Sequence, residues 1–363
     1  MAVRRRVTAL LCVLAAMLSL TPVAAASSSI SAQPVVSGLA YPTMFTFAAD
    51  GRIFYTELLT GNVGIFDPAT GSTSLYHRVR KLCTDADQGL FGVALHPDYP
   101  SRPFVYVYAT RNVKGACRNQ VLRLKQRSDG TVATSVLHSE PYTGEHIGGR
   151  IMFGPDRYLY ISTGEGGNPA NAQDLSNGKG KMLRMTASGK IPADNPIAGS
   201  YVYAYGFRNV FGFDFDPVSS QLWATENGPE CNDELNRVEP SGNYGWGPSG
   251  TCSTPPEPPA NTNQDGPDPI LPLLWYSPSD GPTGAAFCSA CALGADLEGR
   301  LLYGAWQYGE IRAVTLDADR AGVVSQTVVY RHHVAEAPLG IESAPDGRIY
   351  FSDKTTIYRL VAA

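Results

Sequence analysis

The sequence predicts an all-β protein, specifically a six-bladed β-propeller. Three observations carry the prediction: one phrase recurs along the chain, turn-forming residues abound, and the apolar runs alternate as strands do. The phrase is an apolar strand, an Asp-Gly or Pro-Asp turn, and a second strand rich in aromatics. The chain has 37 glycines, 27 prolines and only 17% charged residues, a composition rich in turns and poor in helix.

The copies follow in order. The first runs from Phe45 through Asp50-Gly51 to Tyr55. The second joins Val93 to Pro97-Asp98 and Phe104 to Tyr108. The third spans Ile151, Pro155-Asp156 and Tyr160, and the fourth joins Phe213, Asp216-Pro217 and Trp223. A degenerate fifth copy links Ala285–Phe287 to Gly299–Tyr303, and the last runs from Ser343 through Asp346-Gly347 to Tyr350. Repeats of roughly 50 to 60 residues with several short strands each read as propeller blades. A β-sandwich is the rival fold, but it does not account for six recurrences. Alternation of Phe104, Tyr106 and Tyr108 with Val105 and Val107 fits a strand packed on both faces between neighbouring blades. Each unit then closes in a strand read as its outer one: Val63–Phe66, Val121–Leu124, Met182–Met185, Glu234–Val238, Ile311–Val314 and Ile357–Leu360. The Pro-, Gly- and Asn-rich stretch Gly247–Pro272 reads as a long loop.

Residues 1–26 read as a secretory signal peptide. Arg4, Arg5 and Arg6 precede an apolar run from Val7 to Leu20, and Ala24-Ala25-Ala26 offers the cleavage site. The paired arginines also permit twin-arginine export. The apolar run falls short of the roughly 20 residues that a membrane span needs. The expected mature chain, 27–363, is therefore one secreted propeller domain, extracellular or periplasmic, with no membrane span. A net charge of −4 leaves no basic footprint for nucleic acid. Cys12 lies in the signal, leaving six cysteines for three bridges. Fifteen pairings are open, and the nearest-neighbour set is Cys83–Cys117, Cys231–Cys252 and Cys288–Cys291. The Cys288-Ser-Ala-Cys291 spacing also reads as a redox pair or half of a zinc site.

In a propeller, loops from different blades converge at one end of the axis, so residues remote in sequence become neighbours. The loops of this chain carry ordered phrases: Asp87–Pro97, His146-Ile-Gly-Gly-Arg150, Gly180–Arg184 with Ile191–Pro196, and Tyr205-Gly-Phe-Arg208-Asn209. Glu226-Asn-Gly228-Pro229, Asp233–Asn236 and Gly242–Trp246 follow. In order and spacing they resemble the glucose/sorbosone dehydrogenase family over nearly the whole mature chain. The resemblance implies a six-bladed propeller that oxidises an aldose sugar at its anomeric carbon, using pyrroloquinoline quinone and calcium. It implies His146 as the base, with Glu165 beside it, and Arg208, Asn209 and Asn227 on the quinone. It places calcium on the main-chain carbonyls of Gly228 and Pro229, and Asp87 and Asp233 on the substrate side.

The residue types suit those roles. A neutral imidazole takes a hydroxyl proton near neutral pH, and a carboxylate orients it. A guanidinium stabilises developing negative charge, and calcium prefers oxygen ligands. The competing readings are a structural loop histidine, a turn glutamate, a surface ion-paired arginine and two loop-capping aspartates. The chain departs from the family where the relatives carry cations toward the quinone's carboxylates: it has Gln307, Ala337 and Leu339 there. Arg312, Arg331, His332 and His333 are the candidates to replace them. Gly281-Pro-Thr-Gly284 looks more like the sorbosone-type and hedgehog-interacting-protein-like branches, some of which do without the quinone. The alternative function is thus a non-catalytic propeller that binds carbohydrate or protein. A metal-dependent lactonase ranks last, because no set of side-chain metal ligands accompanies the loops. Which sugar, which electron acceptor and which oligomeric state stay open at this point.

Overall fold

The computed structural model describes residues 29–249, 263–333 and 337–363. The expected signal peptide, residues 1–26, and Cys252 lie outside the described residues. Six four-stranded antiparallel sheets surround a common axis. Their inner strands are Pro42–Phe47 (blade 1), Leu90–Leu95 (blade 2), Ile151–Phe153 (blade 3), Val210–Phe215 (blade 4), Pro282–Phe287 (blade 5) and Ile341–Ser343 (blade 6).

The core lies between blades, and the strand Phe104–Val113 of blade 2 shows why. Val105 and Val107 pack with Phe54 and Val63 of blade 1. Tyr106 and Tyr108 on the other face pack with Ile151, Leu159 and Ile161 of blade 3. Both faces of the strand are therefore buried, and its apolar run is unbroken through five residues.

The strands expected to be outermost are instead the third in each blade. A fourth strand flanks each of them, such as Ser72–Arg78 in blade 1, Val132–Pro141 in blade 2 and Val323–Arg331 in blade 5. These rim strands are largely exposed and mixed in polarity, so they lack the apolar signature of strands sandwiched between blades. In blade 6 the fourth strand comes from the far end of the described chain. Ile30–Val36 pairs antiparallel with Ile357–Ala362, from Ile30 opposite Ala362 onward, and closes the ring.

The fifth copy of the phrase is degenerate because its turn has grown. Residues 288–300 replace the short Asp-Gly turn, and the Cys288–Cys291 disulfide ties the insertion together. Cys83–Cys117 is the second expected bridge observed. Cys231 is also disulfide-bonded, and its expected partner lies outside the described residues. With both thiols of the Cys288–Cys291 pair consumed and buried, that spacing offers no zinc half-site. On the axis, Arg150 of blade 3 meets Glu342 of blade 6 at 2.8 Å. Burial pushes the Glu342 carboxyl up to about 7 despite that partner.

Candidate functional site

The repeated Asp-Gly turns link first to second strands and occupy one end of the propeller. The loops that enter the inner strands, and those joining second to third strands, occupy the other. Asp87, His146, Glu165, Arg208, Asn209, Asn227, Gly228 and Pro229 all lie in this second set.

His146 sits in the loop before the inner strand of blade 3, with a left-handed backbone at φ 60°. Its Nδ1 lies 2.5 Å from Glu165 Oε1. Its amide donates to Asp87 Oδ2 at 3.0 Å, and its carbonyl accepts the amide of Gly166 at 3.2 Å. Three partners thus fix the loop, and Glu165 points the ring so that Nε2 is the nitrogen left for a ligand. Gly164 makes the approach possible, since a Cβ there would lie 1.8 Å from the His146 carbonyl oxygen. Glu165 is 1% exposed, and its second carboxylate oxygen has no hydrogen-bond partner among the described residues. Its carbonyl accepts the Asn171 side-chain amide at 2.8 Å, and its own amide donates to the Arg208 carbonyl at 2.9 Å.

That last bond ties blade 3 to blade 4, where Arg208 and Asn209 precede the inner strand. Asn209 Oδ1 accepts the amide of Gly148 at 3.0 Å, a second tie between the two loops. The Arg208 guanidinium donates through Nη1 to the carbonyls of Asn227, at 2.9 Å, and Gly228, at 2.6 Å. It also lies 5.7 Å from the Trp246 ring centre. Burial pulls the guanidinium below its usual range, and Glu165, Glu226, Glu145 and Asp233 oppose that by holding its charge. The Arg208 amide donates to Glu226 at 2.5 Å. Beneath it, burial and the charge of Glu234 push the Glu226 carboxyl well above the usual range, and burial raises Glu234 to about 8.

Two adjoining cavities open among these loops. The larger, about 340 Å³, is lined by Arg208, Asn209, Asn227, Gly228, Pro229, Ser279, Gly281, Thr283, Trp306 and Gln307. The smaller, about 240 Å³, is lined by Asp87, Phe91, Ile147, Gly148 and their neighbours. Tyr41, Asn209, Phe211 and Leu339 form walls of both. One side is polar and cationic, and the other is aromatic and aliphatic. Such a cavity fits a flat polar ring system bearing carbonyl oxygens. Main-chain carbonyls suit a hard cation, and one bound at Gly228 and Pro229 would take the Gly228 carbonyl over from the Arg208 guanidinium.

Asp233 does not face the cavities as expected. It is wholly buried, with Oδ1 accepting the amide of Gly228 at 2.7 Å and Oδ2 accepting Ser279 Oγ at 2.5 Å and the amide of Gly281 at 2.7 Å. It organises the loop that lines the cavity. Of the departures, Gln307 lines the larger cavity, Leu339 lines both, and Ala337 is buried. Three of the four expected replacements are engaged elsewhere. Arg312 pairs with Asp280 and Glu310, Arg331 with Glu310, and His332 with Asp353. Sequence reasoning missed Tyr41, Phe211, Asn171 and Glu226. Glu226 alone had a signal, as the first residue of a quoted loop phrase.

The chain is 30% identical over 351 residues to the uncharacterized protein slr1608 of a Synechocystis species, covering 88% of this chain and 83% of that one. It is 32% identical over 255 residues to quinoprotein glucose dehydrogenase B of Acinetobacter calcoaceticus, covering 61% of this chain and 53% of that protein. Its fold superposes on the quinone-bound aldose sugar dehydrogenase of Streptomyces coelicolor with a TM-score of 0.77 at 26% identity, covering 92% and 98% of the two chains. The family model for glucose/sorbosone dehydrogenases matches residues 39–361, and the chain belongs to that family.

Proposed function

We propose that the protein is a secreted quinone-dependent dehydrogenase that oxidises an aldose at its anomeric carbon. The observation that carries this reading is the His146–Glu165 pair, tied through the Glu165 amide to the loop that sets Arg208 in the wall of the larger cavity.

His146 Nε2 takes the proton of the anomeric hydroxyl as the C–H bond breaks, and the sugar leaves as the lactone. Glu165, buried beside Nδ1, stabilises the imidazolium that forms. Arg208, Asn209 and Asn227 would hold the cofactor, and the Tyr41, Phe211 and Leu339 walls would exclude water around it. Pyrroloquinoline quinone, when bound, supplies the two-electron acceptor for the departing hydride, and calcium on the carbonyls of Gly228 and Pro229 would polarise it. The substrate is a small-molecule sugar. Export is part of the same proposal, supported by the N-terminal pattern and the Cys83–Cys117 bridge.

The test is to add the quinone and calcium to purified protein and assay aldoses with a dye acceptor. Turnover in the wild type and its loss in His146→Ala support the reading. Absence of turnover with every aldose, despite bound quinone, sinks it. The apolar wall at Leu339, where relatives carry a cation, favours the second reading: a propeller that binds carbohydrate without oxidising it. Saturable sugar binding without quinone uptake would select that reading.

A further inference from the structure

We propose that Lys354 is the cation that grips a carboxylate of the ligand in the Arg208 cavity, an inference that rests on the quinone reading above. Lys354 occupies the turn at 353–356, between strands Ile349–Ser352 and Ile357–Ala362 of blade 6, at the same end of the axis as His146. Its ammonium stands over the Trp306 indole, 5.2 Å from the ring centre. Its carbonyl accepts the amide of Tyr41 at 2.9 Å. Trp306 and Tyr41 are both wall residues of the cavity, so Lys354 stands at its rim and is tied to two of its walls.

The base of the lysine is fixed. Asp353 Oδ1 accepts the amides of Thr355 and Thr356, each at 2.7 Å, and Oδ2 meets His332 Nε2 at 3.1 Å. The head group is not committed: among the described residues Lys354 has no carboxylate partner. The other cations nearby are. Arg208 donates to the carbonyls of Asn227 and Gly228, and Arg312 and Arg331 are held by Asp280 and Glu310. A ligand carboxylate entering the cavity therefore meets, beside Arg208, an ammonium with no carboxylate partner among the described residues. That charge sits on an indole face, which orients an ammonium at small energetic cost and leaves its N–H groups free to donate. The flexible four-carbon stem gives the ammonium the reach to follow the ligand. Lys354 thus takes over the task that Gln307 and Leu339 have lost.

The test is a titration of purified protein with pyrroloquinoline quinone, followed by its absorbance and by tryptophan fluorescence, and repeated with the quinone's trimethyl ester. Lys354→Gln should weaken quinone binding about fivefold and flatten its salt dependence, while Lys354→Arg retains affinity. The ester, which has no carboxylate, should bind wild type and Lys354→Gln alike. Equal quinone affinity in wild type and Lys354→Gln overturns the assignment, as does an equal loss for the ester. Wild-type protein that takes up neither ligand overturns this inference together with the reading beneath it.

Discussion

The amide of Glu165 donates to the carbonyl of Arg208 at 2.9 Å, so the residue that orients the candidate base and the candidate electrophile share one hydrogen bond. His146 and Arg208 are 62 positions apart in the chain. Their relative placement is set by that bond and by the tie of Asn209 to Gly148.

Glu165→Gln should lower turnover by about 100-fold or more while leaving quinone affinity unchanged. The amide keeps the shape of the side chain but cannot stabilise an imidazolium through charge. Steady-state kinetics beside a binding titration would separate the two quantities. Weakened quinone binding with normal turnover would contradict the role given to Glu165.

Gly164→Ala should impair catalysis without touching a reactive group. The added methyl would sit 1.8 Å from the His146 carbonyl, so the loop that carries the imidazole must move. A stability loss of about 1 to 3 kcal/mol is expected by denaturant unfolding, with a larger fractional loss in turnover.

Asp233→Ala should loosen the cavity rather than remove a substrate contact. The carboxylate holds the amides of Gly228 and Gly281 and the hydroxyl of Ser279. Removing it strands two buried amides and a half-buried hydroxyl, a cost of about 2 kcal/mol or more. Calcium should raise the melting temperature of the wild type more than that of this variant, because Gly228 belongs to the proposed calcium loop. An equal response of both proteins would detach calcium from that loop.

Acid groups buried at the site should make the fold less stable as pH rises. Glu234, raised to about 8 by burial, keeps its proton in the fold, whereas the unfolded chain loses it above about 4.3. Unfolding releases that proton between the two values, so stability falls through this window, by up to about 1.4 kcal/mol per pH unit for one proton. Melting curves between pH 5 and 8 should show the decline, and Glu234→Gln should flatten it.

Arg150→Met should destabilise the protein by about 3 to 5 kcal/mol, because it leaves the Glu342 carboxyl buried at the axis without its partner. Adding Glu342→Gln should recover much of the loss, and chemical denaturation of the single and double variants would measure it.

The blades were legible in the sequence because strands packed on both faces must be apolar on both, and the Asp-Gly turns punctuate them. The fourth strands were not, since Ser72–Arg78 and its counterparts face water and carry a mixed pattern. His146, Glu165 and Arg208 were legible through the phrases around them. Tyr41, Phe211 and Lys354 were not, because their meaning comes from adjacency around the ring. Tyr41 meets Lys354 only because blade 1 lies beside blade 6, and nothing local to either residue records that. Asp233, expected on the substrate side, is buried beneath the loop, since spacing along a strand end does not reveal how deeply a carboxylate is buried.

The pairing of Ile30 with Ala362 also has a temporal consequence. The strand that completes blade 6 and its partner lie far apart in the chain, with Ile30 and Ala362 separated by 362 − 30 = 332 positions. Until both are present, the sixth sheet has an unsatisfied edge. Closing the ring therefore requires the slow joining of distant segments.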